Sequence, residues 1–307
     1  MRETKANCDT VSGRENKELE LELRYEKYKG VLNELTLMSD MFMRNVFKKP
    51  ECTEYVLQVV MGRKELKVLE QVIQKDYKNL QGRSAILDCV AIDGEGNQFD
   101  VEIQQDREGA SPKRARYHSG LMDMNTLEQG QNFDELPETH VIFITKDDTL
   151  GGDLPIYHVV RKVQETGKEF GDGSHIIYVN SRRQDDTELG RLMRDFHCKR
   201  AEDIYSTVLS ERVRELKETQ EGVDVMCREM EKIYSEGEQS GIKLGEKIGE
   251  RIGEERGRIE GIEVGEEQAK REMALSLFRM GISVEKIAEA ARVSVKQVQE
   301  WLTGSVA

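Results

Sequence analysis

Asp88, Glu102 and Gln104 stand where the two arms of a β-hairpin bring two carboxylates and an amide together. The first arm, Ser84 to Ile92, is apolar except for Asp88. The second alternates Phe99, Val101 and Ile103 with Asp100, Glu102 and Gln104. Between them, Asp93-Gly94-Glu95-Gly96-Asn97 is dense in residues that tolerate turn dihedrals. A loop of those residues sets Ile92 against Gln98, and counting outward sets Asp88 against Glu102, with β-carbons roughly 5 Å apart. Two carboxylates that close repel, so one keeps a proton or a cation lies between them. Hard Mg²⁺ prefers a few carboxylate oxygens plus water. The pair, with Gln104 two residues on, reads as a small metal site.

Two other readings stand beside it. Asp100, Glu102 and Gln104 also fit the wet face of a half-exposed antiparallel strand. Asp88, on an arm apolar on both faces, is a buried carboxylate that needs an ion or a partner, and Arg83 or Arg107 would serve as partner. On the residues alone both accounts of Asp88 stay open.

The elements that must carry these residues follow from periodicity and punctuation. Asp40 caps a helix Met41–Lys48, Pro50 breaks it, and a second helix runs Glu51–Met61. Residues from Glu18 to Lys29 fit helix or strand, and Leu66–Tyr77 reads as a strand leading into the hairpin. Gly109-Ala-Ser-Pro112 opens a helix to about Glu128, with Pro112 in its first turn. Strands are predicted at Thr139–Thr145, Pro155–Gln164 and His175–Val179, and helices at Leu189–Phe196, Ala201–Thr219 and Val223–Ser235. The order suits an α/β core with a mixed sheet. Arg107, Lys113, Arg114 and Arg116 concentrate positive charge just after the second arm, as a phosphate-binding patch or an ordinary solvated helix start.

The spacing Asp88…Glu102-Ile103-Gln104 resembles the D…ExQ variant of the PD-(D/E)XK nuclease motif, as found in recombination-promoting nucleases, or PD-(D/E)XK nuclease family transposases. Asp40–Phe47, Gly82-Arg83, Arg114–Ser119, Pro155–Tyr157, His175–Asn180 and Leu192–Phe196 are similar to segments of the same family, so the likeness spans roughly residues 35 to 235. It implies a restriction-endonuclease-like core and hydrolysis of DNA phosphodiesters in recombination or transposition. It implies Asp88, Glu102 and Gln104 as catalytic residues, and Mg²⁺ (or Mn²⁺) on Asp88 and Glu102. DNA is the implied partner, and the charge cluster of Arg107, Lys113, Arg114 and Arg116 is the candidate surface to meet it. Gln104 departs from the superfamily's lysine, and an amide supplies no positive charge; Lys113, Arg114 or Arg107 would have to do so. In the wider superfamily a carboxylate from the early helices sometimes joins the site, which singles out Asp40 and Glu54. The rival reading is a catalytically inactive oligomeric scaffold or DNA-binding regulator on a nuclease fold.

Organisation and composition bound the rest. The sequence divides into a partly disordered leader (1–30), the nuclease-like domain (31–197), a helical extension (198–236), a glycine-tetrad segment (237–268) and a helix-turn-helix-like tail (269–307). Glycine recurs every fourth residue from Gly237 to Gly265, eight in all. Those glycines cost on the order of 8 kcal/mol of helicity against alanine, so the segment is expected to become helical by pairing in a homo-oligomer. In the tail, Arg292 stands where the turn usually has glycine. Net charge is −13, which argues against a broad nucleic-acid surface and asks for locally concentrated positive charge. No apolar run reaches the ~20 residues of a membrane span. Five scattered cysteines with no C-x-x-C pair suggest reduced thiols in a cytoplasmic protein.

Overall fold

A computed structural model describes residues 20–79 and 82–303. The hairpin turn is organised by Asp93. Its Oδ1 accepts the backbone N–H groups of Glu95 and Asn97, both at 2.9 Å, and its Oδ2 accepts the Asn97 amide at 3.0 Å. That turn sets the register read from the sequence: β2 (Ala85–Asp93) pairs antiparallel with β3 (Gln98–Gln104) from Ile92↔Gln98 to Cys89↔Val101.

Around this hairpin the sheet grows to six strands in the order β1-β2-β3-β4-β6-β5. The other strands are β1 (Val68–Tyr77), β4 (Thr139–Thr145), β5 (Ile156–Val159) and β6 (Ser174–Asn180). β3, β4 and β6 run parallel, and the remaining neighbours antiparallel. The result is an α/β core with a mixed sheet, followed by an all-α C-terminal extension, as the restriction-endonuclease-like expectation holds.

Both faces of the sheet are covered. Phe99, Val101 and Ile103 of β3 join Ile142, Ile144, Ile177 and Val179 in a core shared with α2 (Asp40–Phe47), α3 (Pro50–Met61), α5 (Glu188–His197) and α6 (Thr207–Glu218). The opposite face packs Val141, Phe143 and Tyr178 against Ala115, Leu121 and Met122 of α4 (Pro112–Met124). Asp100, Glu102 and Gln104 alternate onto this α4 side. The wet-face reading of those residues therefore fails, because α4 lies where water was expected.

The β1–β2 ladder is irregular at one place. Ile73↔Cys89 and Lys75↔Leu87 are paired, but Gln74, between them, has φ of 56° and faces Asp88 without a ladder pair. The strands change faces here: Ile73 and Cys89 pack in the first core, Leu87 and Tyr77 in the second.

Several boundaries differ from the sequence reading. The ambiguous stretch before residue 30 is a helix, α1, over residues 20–34. Tertiary contact decides it, since Arg24 and Tyr28 both bond the Glu231 carboxylate at 2.9 Å. The partly disordered leader otherwise falls outside the described residues. The strand expected over Pro155–Gln164 shortens to β5, with one isolated bridge, Lys162↔Glu169, beyond it.

The chain forms two compact units that divide between Lys232 and Ile233. The 60-residue helix α7 (Gln220–Arg279) includes the whole glycine segment. Among the described residues, and apart from the helix's own neighbouring backbone, nothing lies within 4 Å of where a β-carbon would stand at any of the eight repeat glycines. In the second unit, Ala274 of α7 packs with Ile287 and Ala288 of α8 (Val284–Ala291) and Val298 and Trp301 of α9 (Val295–Thr303). Arg292, at the α8–α9 turn, adopts the left-handed φ of 54° that glycine ordinarily supplies there. No helix among the described residues is long and apolar enough to cross a membrane.

Candidate functional site

The regular β2–β3 ladder stops at Cys89↔Val101, one residue short of Asp88 and Glu102. Beyond that point side chains replace the backbone bonds. The Asp88 N–H donates to Glu102 Oε1 at 2.9 Å, and the Asp88 carboxylate accepts the N–H of Ile103. Each carboxylate therefore takes a backbone donor from the opposite strand. The strands part without leaving those amides unpaired.

A second layer of the site comes from α4. Ser111 caps this helix by accepting the Arg114 N–H, and Pro112 occupies its first turn. Arg114 and His118, four residues apart, then share one helical face. Arg114 Nη2 lies 3.1 Å from Glu102 Oε2, and Gln104 Nε2 donates to the same oxygen at 3.3 Å. Arg114 Nε donates to His118 Nε2 at 3.3 Å, which makes that nitrogen the acceptor. His118 Nδ1 therefore carries the proton and donates it to Asp100 Oδ2 at 2.9 Å. Asp100, Glu102 and His118 bring one ligand atom each to within 4.8 Å of one another.

Burial dominates the electrostatics. It raises the Glu102 pKa to about 8, assisted by the charges of Asp100 and Asp88. Burial, with Asp88 beside it, also holds Asp100 well above the usual carboxylate range. Asp88 is raised by burial, against the pull of Arg44, the Ile103 amide, Arg114 and His118. Burial lowers the His118 pKa and favours the neutral ring. Three crowded carboxylates thus hold protons unless a cation replaces them. Asp100 Oδ1 is buried with no hydrogen-bond partner. An oxygen-rich donor set with an unused lone pair fits a hard divalent cation.

Asp88, Glu102 and Gln104 are all in this cluster. Of the basic residues, Arg114 turns inward to Glu102, whereas Lys113 and Arg116 are exposed on α4 and form no ion pair among the described residues. The side chain of Arg107 lies outside the described residues. Arg83 shows no bond to Asp88; its carbonyl accepts the Tyr117 hydroxyl. The charge acting on Asp88 from the helical side is Arg44, which the sequence reading missed and which Asp40 Oδ1 bonds at 2.6 Å. Glu54 instead ties down the start of β1, bonding Lys67 at 2.6 Å and the Val68 N–H at 3.1 Å. Asp100 was also missed as a site residue, and so was the pairing of His118 with it. Their signals were the shared parity of Asp100 with Glu102 and the four-residue step from Arg114 to His118. Gly109 completes the enclosure: a β-carbon there would overlap Gln104 Oε1.

Residues 56–197 match the model of the PD-(D/E)XK nuclease family transposases, which bears out the resemblance carried by Asp88, Glu102 and Gln104 and supports a nuclease- or transposase-related role. No curated protein and no solved structure matches the chain.

Proposed function

From a nuclease-transposase region carrying this cluster, we propose that the chain is a metal-dependent DNA endonuclease that hydrolyses phosphodiester bonds in recombination or transposition. The observation that carries the reading is the exchange of backbone partners between Asp88 and Glu102. It opens the sheet where the two carboxylates meet and leaves them oxygen lone pairs to spare.

Asp88 and Glu102, with Asp100 beside them, would hold Mg²⁺ or Mn²⁺. When bound, such an ion polarises a phosphate oxygen and lowers the pKa of a water. Arg114 takes the part that lysine plays in the wider superfamily. Its guanidinium is a permanent cation within reach of Glu102, placed to stabilise charge that develops on a phosphate. His118 and Asp100 act on Arg114, fixing its rotamer through the Nε bond. Gln104, held between Glu102 and Gly109, presents its amide to orient a water. Lys113 and Arg116 offer unpaired charge to a DNA backbone. The uncovered glycines of α7 are the contact we propose between copies of the chain.

The test is cleavage of supercoiled plasmid with and without Mg²⁺, by the parent and by Asp88→Ala and Glu102→Ala. Nicking or linearisation should require the metal and vanish in both variants. Cleavage that persists in chelator, or variants that cut like the parent, would overturn the reading.

A further inference from the structure

A different set of ligands sits at the other end of the parallel strands. Glu138 immediately precedes β4, and its carbonyl is fixed by the Gln98 N–H at 2.9 Å. His140 on β4 is directly paired with His175 on β6. Ile142 and Ile144 follow His140 at two-residue steps, as Ile177 and Val179 follow His175, and all four lie in the α2–α3 core. The two imidazoles therefore look to that side, and Asp100 and Glu102 to the α4 side. Along β3, His140 pairs with Phe99 while Glu102 lies three residues further on, roughly 10 Å at strand rise. The two clusters are separate.

The three side chains converge. Glu138 Oε2 is 3.7 Å from His140 Nε2 and 3.8 Å from His175 Nε2. One ligand atom from each of the three lies within 4.8 Å of the others. The contacts to Glu138 are too long for hydrogen bonds. They are close to the spacing of ligands on one ion, since a tetrahedral zinc with bonds of about 2.0–2.1 Å separates its ligand atoms by roughly 3.4 Å.

His140 is the buried member of the set. It is 6% exposed, and its Nδ1 is buried with no hydrogen-bond partner among the described residues. A buried ring nitrogen left unpaired is costly. Phe99 stacks on one side of it at 4.9 Å between centroids and His175 on the other at 4.7 Å. Stacking accounts for flat, parallel rings. It does not account for two Nε2 atoms turned to the same carboxylate oxygen.

We propose that Glu138, His140 and His175 form a zinc site, with a fourth position open to water or an added ligand. Two imidazoles and a carboxylate suit a borderline transition ion better than Mg²⁺ or Ca²⁺. Two of the ligands stand on paired strands, so the ion would clamp β4 to β6 at their second residues.

The test uses the full chain with Glu102→Gln, so that the carboxylate cluster does not compete, stripped of metal and titrated with Zn²⁺ against a chromogenic chelator. One zinc should bind, excess Mg²⁺ should not displace it, and the melting temperature should rise with zinc. Co²⁺ in its place should give visible d–d bands without thiolate charge transfer, which separates this site from the cysteines. His175→Ala and Glu138→Gln alter exposed or half-exposed positions; each should weaken zinc by at least about tenfold and abolish the thermal shift. Absence of bound zinc, thiolate bands with Co²⁺, or unchanged affinity in both variants would overturn the proposal.

Discussion

Asp88 and Glu102 exchange backbone partners across the parting strands: the Asp88 N–H goes to Glu102 Oε1, and the Ile103 N–H goes to the Asp88 carboxylate. Each side chain therefore does two things, holding strand geometry and lending charge. The two roles can be separated by substitution.

Asp88→Asn keeps an oxygen for the Ile103 amide but removes the charge. It should fold like the parent and lose metal-dependent cleavage. Asp88→Ala should lose cleavage and, in addition, about 1–3 kcal/mol of stability, because the amide loses its acceptor. Thermal melts and plasmid cleavage on the two variants check this; equal stability of both would mean the Ile103 bond contributes nothing.

Metal binding should depend on pH through Glu102. Its pKa in the fold is about 8, against an ordinary 4.5, so the metal-free fold retains a proton there and loses stability as pH rises from 4.5 through 8. A bound cation releases that proton. The rise in melting temperature caused by Mg²⁺ should therefore grow between about pH 6 and pH 8 and level off above. Melts with and without Mg²⁺ across that range measure it, and a constant shift would remove Glu102 from the ligand set.

Gly109→Ala should leave stability within about 1 kcal/mol of the parent, because the atom it meets is the free end of the Gln104 side chain. Gln104 must nevertheless swing away from Glu102. Cleavage rate should fall while DNA binding holds; an unaffected rate would show that the placement of Gln104 is immaterial.

The basic residues should split into two classes. Arg114→Gln should cost about 10²–10³ in cleavage rate, as for loss of a donor to developing charge, with little change in how DNA binding responds to salt. Lys113→Gln with Arg116→Gln should weaken binding and reduce the salt slope by roughly two contacts' worth. Kinetics and binding at several salt concentrations separate them, and an unchanged slope would place α4's outer face away from DNA.

Replacing Gly245, Gly249, Gly253 and Gly257 with alanine should add about 4 kcal/mol of intrinsic helicity to an isolated α7 peptide. In the full chain, if copies pack through these glycines, the same change should reduce assembly mass in light scattering. A variant that gains helix and keeps its mass would leave the glycines without a packing role.

The hairpin register was legible because Asp93 to Asn97 are turn residues that can be counted, and pairing outward is then arithmetic. The burial of Asp100 was not, since a strand face under a helix and one under water show the same alternation. Only the return of α4 over β3 distinguishes them, and that is long-range packing. The sequence offered Arg114 as one of several cations; the Ser111 cap fixes the helical phase that selects it. Arg44 lies far from Asp88 in sequence and had no local signal at all. Glu18 to Lys29 stayed ambiguous for the same reason, because Arg24 and Tyr28 find their partner, Glu231, some 200 positions away.

The left-handed turn at Gln74 gives the β1–β2 ribbon two opposite allegiances. On the hairpin side of it Ile73, Cys89 and Ala91 face the α2–α3 core, and on the other side Leu87 and Tyr77 face the α4 core. Asp88 lies at the crossover, where both layers act on it. Arg44 acts on its carboxylate from the first layer and Arg114 from the second. The carboxylate is therefore a junction between the two halves of the core, and a shift of either layer alters the balance of charge upon it.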